Sequence, residues 1–266
     1  MEGDARLAAL AVHAPLTLVQ IFDYTLRNPE IHQGTIAGGL ARSPNPGVLA
    51  AYGYIANHVG LASARCIGNI GYLPDIDGVL RHTPVQTRFE EKDYPHLASA
   101  LRDCAGRNER KDISAKPPAS TSLANENGLW RVPFRRSLSA YNVIPAIAIL
   151  DESAPHSLIS NRYVLVGSSS LGLGDRVSTP LAPLTSGVMV HAASLSGLLD
   201  IAEGNARPPW SGRLWLTVWC LLSIALSVVC IAKLPAWGGL LLLSSVVAGW
   251  LAVALFGISR QAEWSV

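Results

Sequence analysis

Two long stretches without a charged residue close this chain, Leu214 to Ala232 and Leu234 to Ser259, and no other feature constrains its fold so strongly. A membrane-spanning helix needs ~20 consecutive apolar residues, because its backbone must satisfy its own hydrogen bonds across ~30 Å of hydrocarbon. Both stretches meet that requirement. Lys233 and Pro235 separate them tightly, which predicts a transmembrane helical hairpin with spans at about 214–232 and 234–259. Trp210, Trp215, Trp237 and Trp264 lie near the ends, at the interfacial depth tryptophan prefers. Ser223 with Ser227, and Ser245 with Gly249, put small residues one turn apart, where helices can approach closely. The competing reading is a buried hairpin of a soluble protein, but runs of this length are long for a globular core.

The rest of the chain mixes polar and apolar residues as a soluble domain does, so the sequence divides into a domain over 1–209 and a membrane region over 210–266. Apolar residues make up 49% of the 266, enough for one full core and an apolar segment besides. The net charge of +2, with Lys and Arg scattered, gives no basic face to neutralise phosphates, which excludes nucleic acid as a partner. Cys220 and Cys230 fall in the first apolar stretch, where a thiol is a small hydrophobe. Cys66 and Cys104 lack a framework spacing and are expected to stay unpaired; pairing would require an oxidising compartment.

Within the domain, Asp4 to Val12 reads as a helix and Thr17 to Phe22, TLVQIF, as a strand. Asn28 to Gly47 is rich in Pro, Gly, Ser and Asn and reads as a surface loop. Val48 to His58 reads as a helix, and Ala64 to Tyr72 as a strand that ends in a turn at Pro74. Arg107 to Gly128 carries too little apolar content to offset its ordering entropy and reads as a mobile loop. Ser139 to Leu150 suits a helix only if Pro145 lies near its first turn. Arg162 to Gly167, RYVLVG, reads as a buried central strand, and Met189 to Ile201 as the last helix of the domain. Strands alternating with helices predict an α/β fold, a mixed sheet flanked by helices, followed by the transmembrane hairpin.

Two segments invite a chemical reading. GSSSLGLGD, Gly167 to Asp175, follows the apolar run as an anion-cradling loop would. It nevertheless fails each phosphate or nucleophile motif: Val177 replaces the third Rossmann glycine, Leu173 the P-loop lysine, and Leu171 the second glycine of a nucleophile elbow. A turn whose glycines permit tight geometry accounts for it. Ser169, His191 and Asp175 compose the one hydrolase triad available by residue type, with no local spacing that sets base beside nucleophile. His191 is better read as a partly buried histidine at a helix start with a hydrogen-bonding role. PDIDG, with Asp75 and Asp77, starts like a calcium loop but brings its glycine at the fourth position instead of the sixth. It reads as an Asp-Gly turn, with Arg81 placed to pair with a carboxylate. Neither a metal nor a cofactor is expected.

The soluble part resembles the CHASE2 domain, an extracytoplasmic sensory module of bacterial receptors. GNIGYLPDIDGVLRHTPV, Gly68 to Val85, is similar to that family's glycine and asparagine strand with its Asp, Asp-Gly and Arg-x-x-Pro turn, which marks Asp77, Gly78 and Arg81. The closing segment from Asn161 to Asp200 is similar at Gly167, Gly174, Asp175, Thr179, Pro180, Gly187, Val188, His191 and Ala192. The resemblance implies a ligand- or stimulus-sensing surface at these residues, an inner-membrane location with several spans, and no catalysis by this chain. It also implies a cytoplasmic kinase or nucleotide cyclase as output, and the layout admits a homodimer. The family's opening span, its first strand with an Asp, a third span and the output domain are not matched in this sequence, so a truncated receptor is expected. A structural membrane protein that pairs with full-length receptors is the alternative.

Charge and layout disagree about orientation. With the domain outside, Arg207, Arg213 and Arg260 lie on the side that positive charge avoids. The family layout is preferred, although no signal segment for export is recognised after Met1.

Overall fold

A computed structural model describes residues 2–44, 47–109, 123–168 and 176–205, together with 217–218, 220–225, 227–228, 237–238 and 244–251. The chain forms two compact units, 1–206 and 207–266.

The first unit opens with helix α1 (Glu2–His13), then β1 (Thr17–Asp23), as the sequence leads one to expect. Short strands follow in the loop region, β2 (His32–Gln33) and β3 (Leu40–Ala41). Val48 to His58 is not a helix: it supplies β4 (Leu49–Ala50) and β5 (Gly53–Ile55). Pairing partners far along the chain override its local helical preference. β5 pairs antiparallel with β1, Ile21 opposite Ile55, and β4 pairs parallel with the later β8, Leu49 opposite Thr87.

β6 (Cys66–Asn69) is fully buried and runs parallel to β1, which gives one sheet of order β2-β5-β1-β6. Next come β7 (His82–Pro84), β8 (Gln86–Phe89) and β9 (Lys92–Pro95). A second sheet runs β3-β9-β8-β4, and β7 pairs instead with β10 (Leu129–Arg131). β11 (Arg176–Thr179) and β12 (Ala182–Ser186) form a separate hairpin. The mixed α/β reading is therefore right in class, but the strands divide into two four-stranded sheets and two ribbons where a single sheet was expected.

Helix α2 (Leu97–Glu109) packs on β6, and Gly68 is what lets it: a Cβ there would sit 2.6 Å from the Cα of Leu97. Cys66 and Cys104 are joined by a disulfide across the same contact, contrary to the expectation of free thiols. Their pairing depends on strand-helix packing that no local spacing encodes. Helix α3 is only Ala146–Leu150, with Pro145 just before it, and all of its side chains are at least partly exposed. Arg162 to Gly167 has no regular structure, and Val166 is 95% exposed, so the expected buried strand is absent. Periodicity does not separate a short apolar run that is buried from one that is not.

Helix α4 (Gly187–Ala202) closes the unit and supplies two core clusters. Its Leu195 and Leu198 pack with Val85, Ala98 and Trp130; its Val190 and Ala193 pack with Leu80, Val132 and Val177. A third cluster, Phe22, Phe89 and Tyr94, lies between the two sheets' strands, with the Phe22 and Tyr94 rings 4.7 Å apart.

In the second unit the described residues are short helical pieces, 244–251 being the longest. Among the described residues no helix is long and apolar enough to cross a membrane. The expected spans at 214–232 and 234–259 fall in good part outside those residues, as does the core of the expected loop at 107–128.

Candidate functional site

The Asp-Gly turn is built by local rules. The Gly78 amide donates to the Asp75 carbonyl at 2.8 Å, and Gly78 adopts φ +77°, a left-handed conformation that glycine reaches at no steric cost. The Val79 amide donates to Asp77 Oδ1 at 3.1 Å, closing an Asx turn. Arg81 then binds both carboxylates, Nη1 reaching Asp75 Oδ2 at 3.0 Å and Nη2 reaching Asp77 Oδ2 at 2.8 Å. His82 Nδ1 lies 3.0 Å from Asp75 Oδ1. The Arg81 hydrogen bonds hold Asp77 down at about 2. Burial alone would raise Asp75, but hydrogen bonds from His82 and Arg81 outweigh it and lower that carboxyl as well.

This turn is docked on the other sequence landmark. Leu80, 1% exposed, donates its amide to the Ser178 carbonyl at 2.8 Å, and Val79 bridges Ser178 in parallel register. Thr179 ends that strand beneath the surface, its hydroxyl donating to the Ala182 carbonyl at 3.1 Å and accepting from the Ala182 amide at 3.2 Å. With Pro180 next in the chain, Thr179 closes the β11–β12 turn, and β12 runs straight into α4. Asp77, Gly78, Arg81, Thr179 and Pro180 therefore belong to one continuous block. Gly167 lies elsewhere on it: a Cβ there would meet Val188 of α4 at 2.7 Å, and Ser186 Oγ donates to the neighbouring Ser168 carbonyl at 2.8 Å. Gly174, Asp175 and Ser169 lie outside the described residues, so of the triad by residue type only His191 is placed.

His191 is buried, and its Nδ1 has no partner among the described residues. Its ring faces His96, centroids 5.3 Å apart, a residue that sequence reasoning passed over. Asn69 was also unremarked as a functional group. Its amide donates to Tyr24 Oη and Thr87 Oγ1, both at 2.7 Å, while Oδ1 accepts from the Gly71 amide. Burial raises the Tyr24 phenol, so it stays protonated in this network. A lone polar residue inside an apolar strand is the signal that could have found Asn69.

A cleft of about 390 Å³ opens beside the turn, with Ile21, Asp23, Tyr54, Tyr72, Leu73 and Pro74 among its walls. Asp23 is held by Arg27 at 2.6 Å and by the Thr25 amide at 3.0 Å. Among the described residues no group of His, Cys, Asp and Glu side chains is arranged to hold a metal ion.

In this mixed α/β domain Asp77, Gly78, Arg81 and Thr179 order turns that connect through β11 and β12 to α4. The model of the CHASE2 domain matches residues 4–230, and the chain belongs to that family of sensory domains of signalling receptors. Comparison with curated proteins and with solved structures gave no match.

Proposed function

We propose that the chain is the extracytoplasmic sensory module of a membrane-bound receptor, held to the bilayer by its apolar C-terminal stretches. One observation carries the reading. The Leu80–Ser178 hydrogen bond joins the Asp75–Arg81 turn to β11, and β11 leads through Thr179 and β12 into α4, the last helix of the domain. A ligand or stimulus that favours one arrangement of the turn or its neighbouring cleft is thereby coupled to α4, since a population shift requires only differential affinity for two states. The Cys66–Cys104 disulfide agrees with an oxidising compartment. The apolar stretches would carry the change to a cytoplasmic kinase or nucleotide cyclase, and pairing of two copies would be one way to do so.

Protease added to spheroplasts expressing the full chain tests this. Digestion of 1–206 with retention of the remainder in the inner membrane is the expected result; a chain protected until the cells are lysed, or recovered in the soluble fraction, overturns it.

A further inference from the structure

His96 and His191 are the two imidazoles of the domain that lie under the surface together. Each is more than nine-tenths buried, their centroids are 5.3 Å apart, and each keeps one ring nitrogen without a partner among the described residues, Nε2 of His96 and Nδ1 of His191. They come from the two helices that pack on each other: His96 directly precedes α2, and His191 lies in the second turn of α4. His96 does a second job. Its Nδ1 accepts from the Ala98 amide at 3.3 Å, capping the start of α2, so the neutral ring carries its proton on Nε2. Its backbone is fixed by the Val85 carbonyl and by a bridge to Asn69.

We propose that this pair is a proton-operated latch between α2 and α4, and that acidification of the surrounding compartment is a stimulus the sensor reads. A proton can enter His96 only at Nδ1, the nitrogen that accepts from Ala98, so uptake breaks the α2 cap. It also sets a positive charge at the start of α2, against the helix dipole. A second proton on His191 places like charges on two rings whose centroids are 5.3 Å apart, near the start of α4. Both changes push apart the helices that the neutral rings allow to pack.

Among the described residues no other charge intervenes. On α2, Arg102 and Asp103 pair with each other; on α4, Asp200 pairs with Arg136. On β9, Asp93 is held by Arg88 while Lys92 is exposed, and β11 contributes Arg176, also exposed. Tyr94 packs against Phe22. Burial lowers the proton affinity of both rings, His191 to about 4, and His191 lowers His96 further. Because the folded values are depressed, the latch is fully closed above ~6.5, the ordinary histidine value, and opens as pH falls from there towards 4.

Hydrogen exchange of the full chain in lipid nanodiscs at pH 7 and pH 4.5, corrected for intrinsic rates, tests the latch. Amides of α4 and the first turn of α2 are expected to exchange at least about tenfold faster at pH 4.5, the factor one unit of linked proton uptake supplies, while β8 and β9 keep their protection. His191→Gln and His96→Gln should each remove most of that difference. Should the variants not fold, the imidazole resonances of the wild-type chain decide: both rings must titrate in the same window as α4 opens. Rings that titrate near 6.5 with α4 still protected, or loss of protection everywhere at once, overturn the latch. The latch gives the sensor reading its stimulus, yet the two fail separately. A chain that stays inside the cell but opens in acid sinks the sensor reading alone, and an exported chain whose α4 stays closed sinks the latch alone.

Discussion

The guanidinium of Arg81 reaches two carboxylates that would otherwise repel across a turn of four residues, with Asp75 27% and Asp77 48% exposed. Exposed pairs contribute little individually, so its main effect is to fix the turn's geometry. Both carboxyls are depressed in the folded state; their contribution is present above ~3.9 and is lost as pH falls towards 2. Arg81→Gln is therefore expected to melt below wild type at pH 7, with the gap narrowing between pH 4 and pH 2 in thermal unfolding followed by circular dichroism. His191 works in the opposite part of the scale. A folded value of about 4 against an unfolded ~6.5 implies a loss of about 3 kcal/mol of stability on acidification from neutral to pH 4, at ~1.4 kcal/mol per unit. Denaturant titrations at pH 7 and 4.5 should show that slope, and His191→Gln should flatten it. The Asp-Gly turn was legible in the sequence because turn chemistry is local. The His96–His191 contact was not, since a lone histidine before a helix carries no pattern and its partner comes from the far end of the domain.

At the scale of elements, α2 is held to β6 by shape and by covalent bond. Closing a loop over a sequence separation of 38 residues restricts the unfolded chain, worth about 4 kcal/mol on the chain-entropy model, and Cys104→Ser should lose a comparable amount in urea unfolding. Gly68→Ala drives a methyl into the Leu97 backbone, which has no flexible end to yield, and should cost about 1–3 kcal/mol in the same assay. Elements with internal signals were read correctly: α1 by its helical period, β1 by β-branched residues, α4 by its apolar stripe. β4 and β5 were misread because what makes them strands is supplied by β8 and β1. The apolar run 163–166 was misread for the converse reason, as nothing along the described chain pairs with it.

For the molecule as a whole, compartment is the property that orders the others. The charge distribution of Arg207, Arg213 and Arg260 argues for a domain inside the cell, while family membership and the disulfide argue for one outside. The four cysteines can decide between them in living cells. Cytosolic thiols are kept reduced, so a domain that never crosses the membrane would expose Cys66 and Cys104 as thiols whatever their proximity. Outside, the pair closes, while Cys220 is free and Cys230 sits in an apolar stretch with no partner nearby in sequence. Cells are quenched in acid, denatured, alkylated with a mass-tagged maleimide, then reduced and alkylated again. The expected pattern is tagging of Cys220 and Cys230 in the first step and of Cys66 and Cys104 only after reduction. Four tags in the first step would place the domain in the reducing interior, and the positive-inside rule would then have outweighed the family layout.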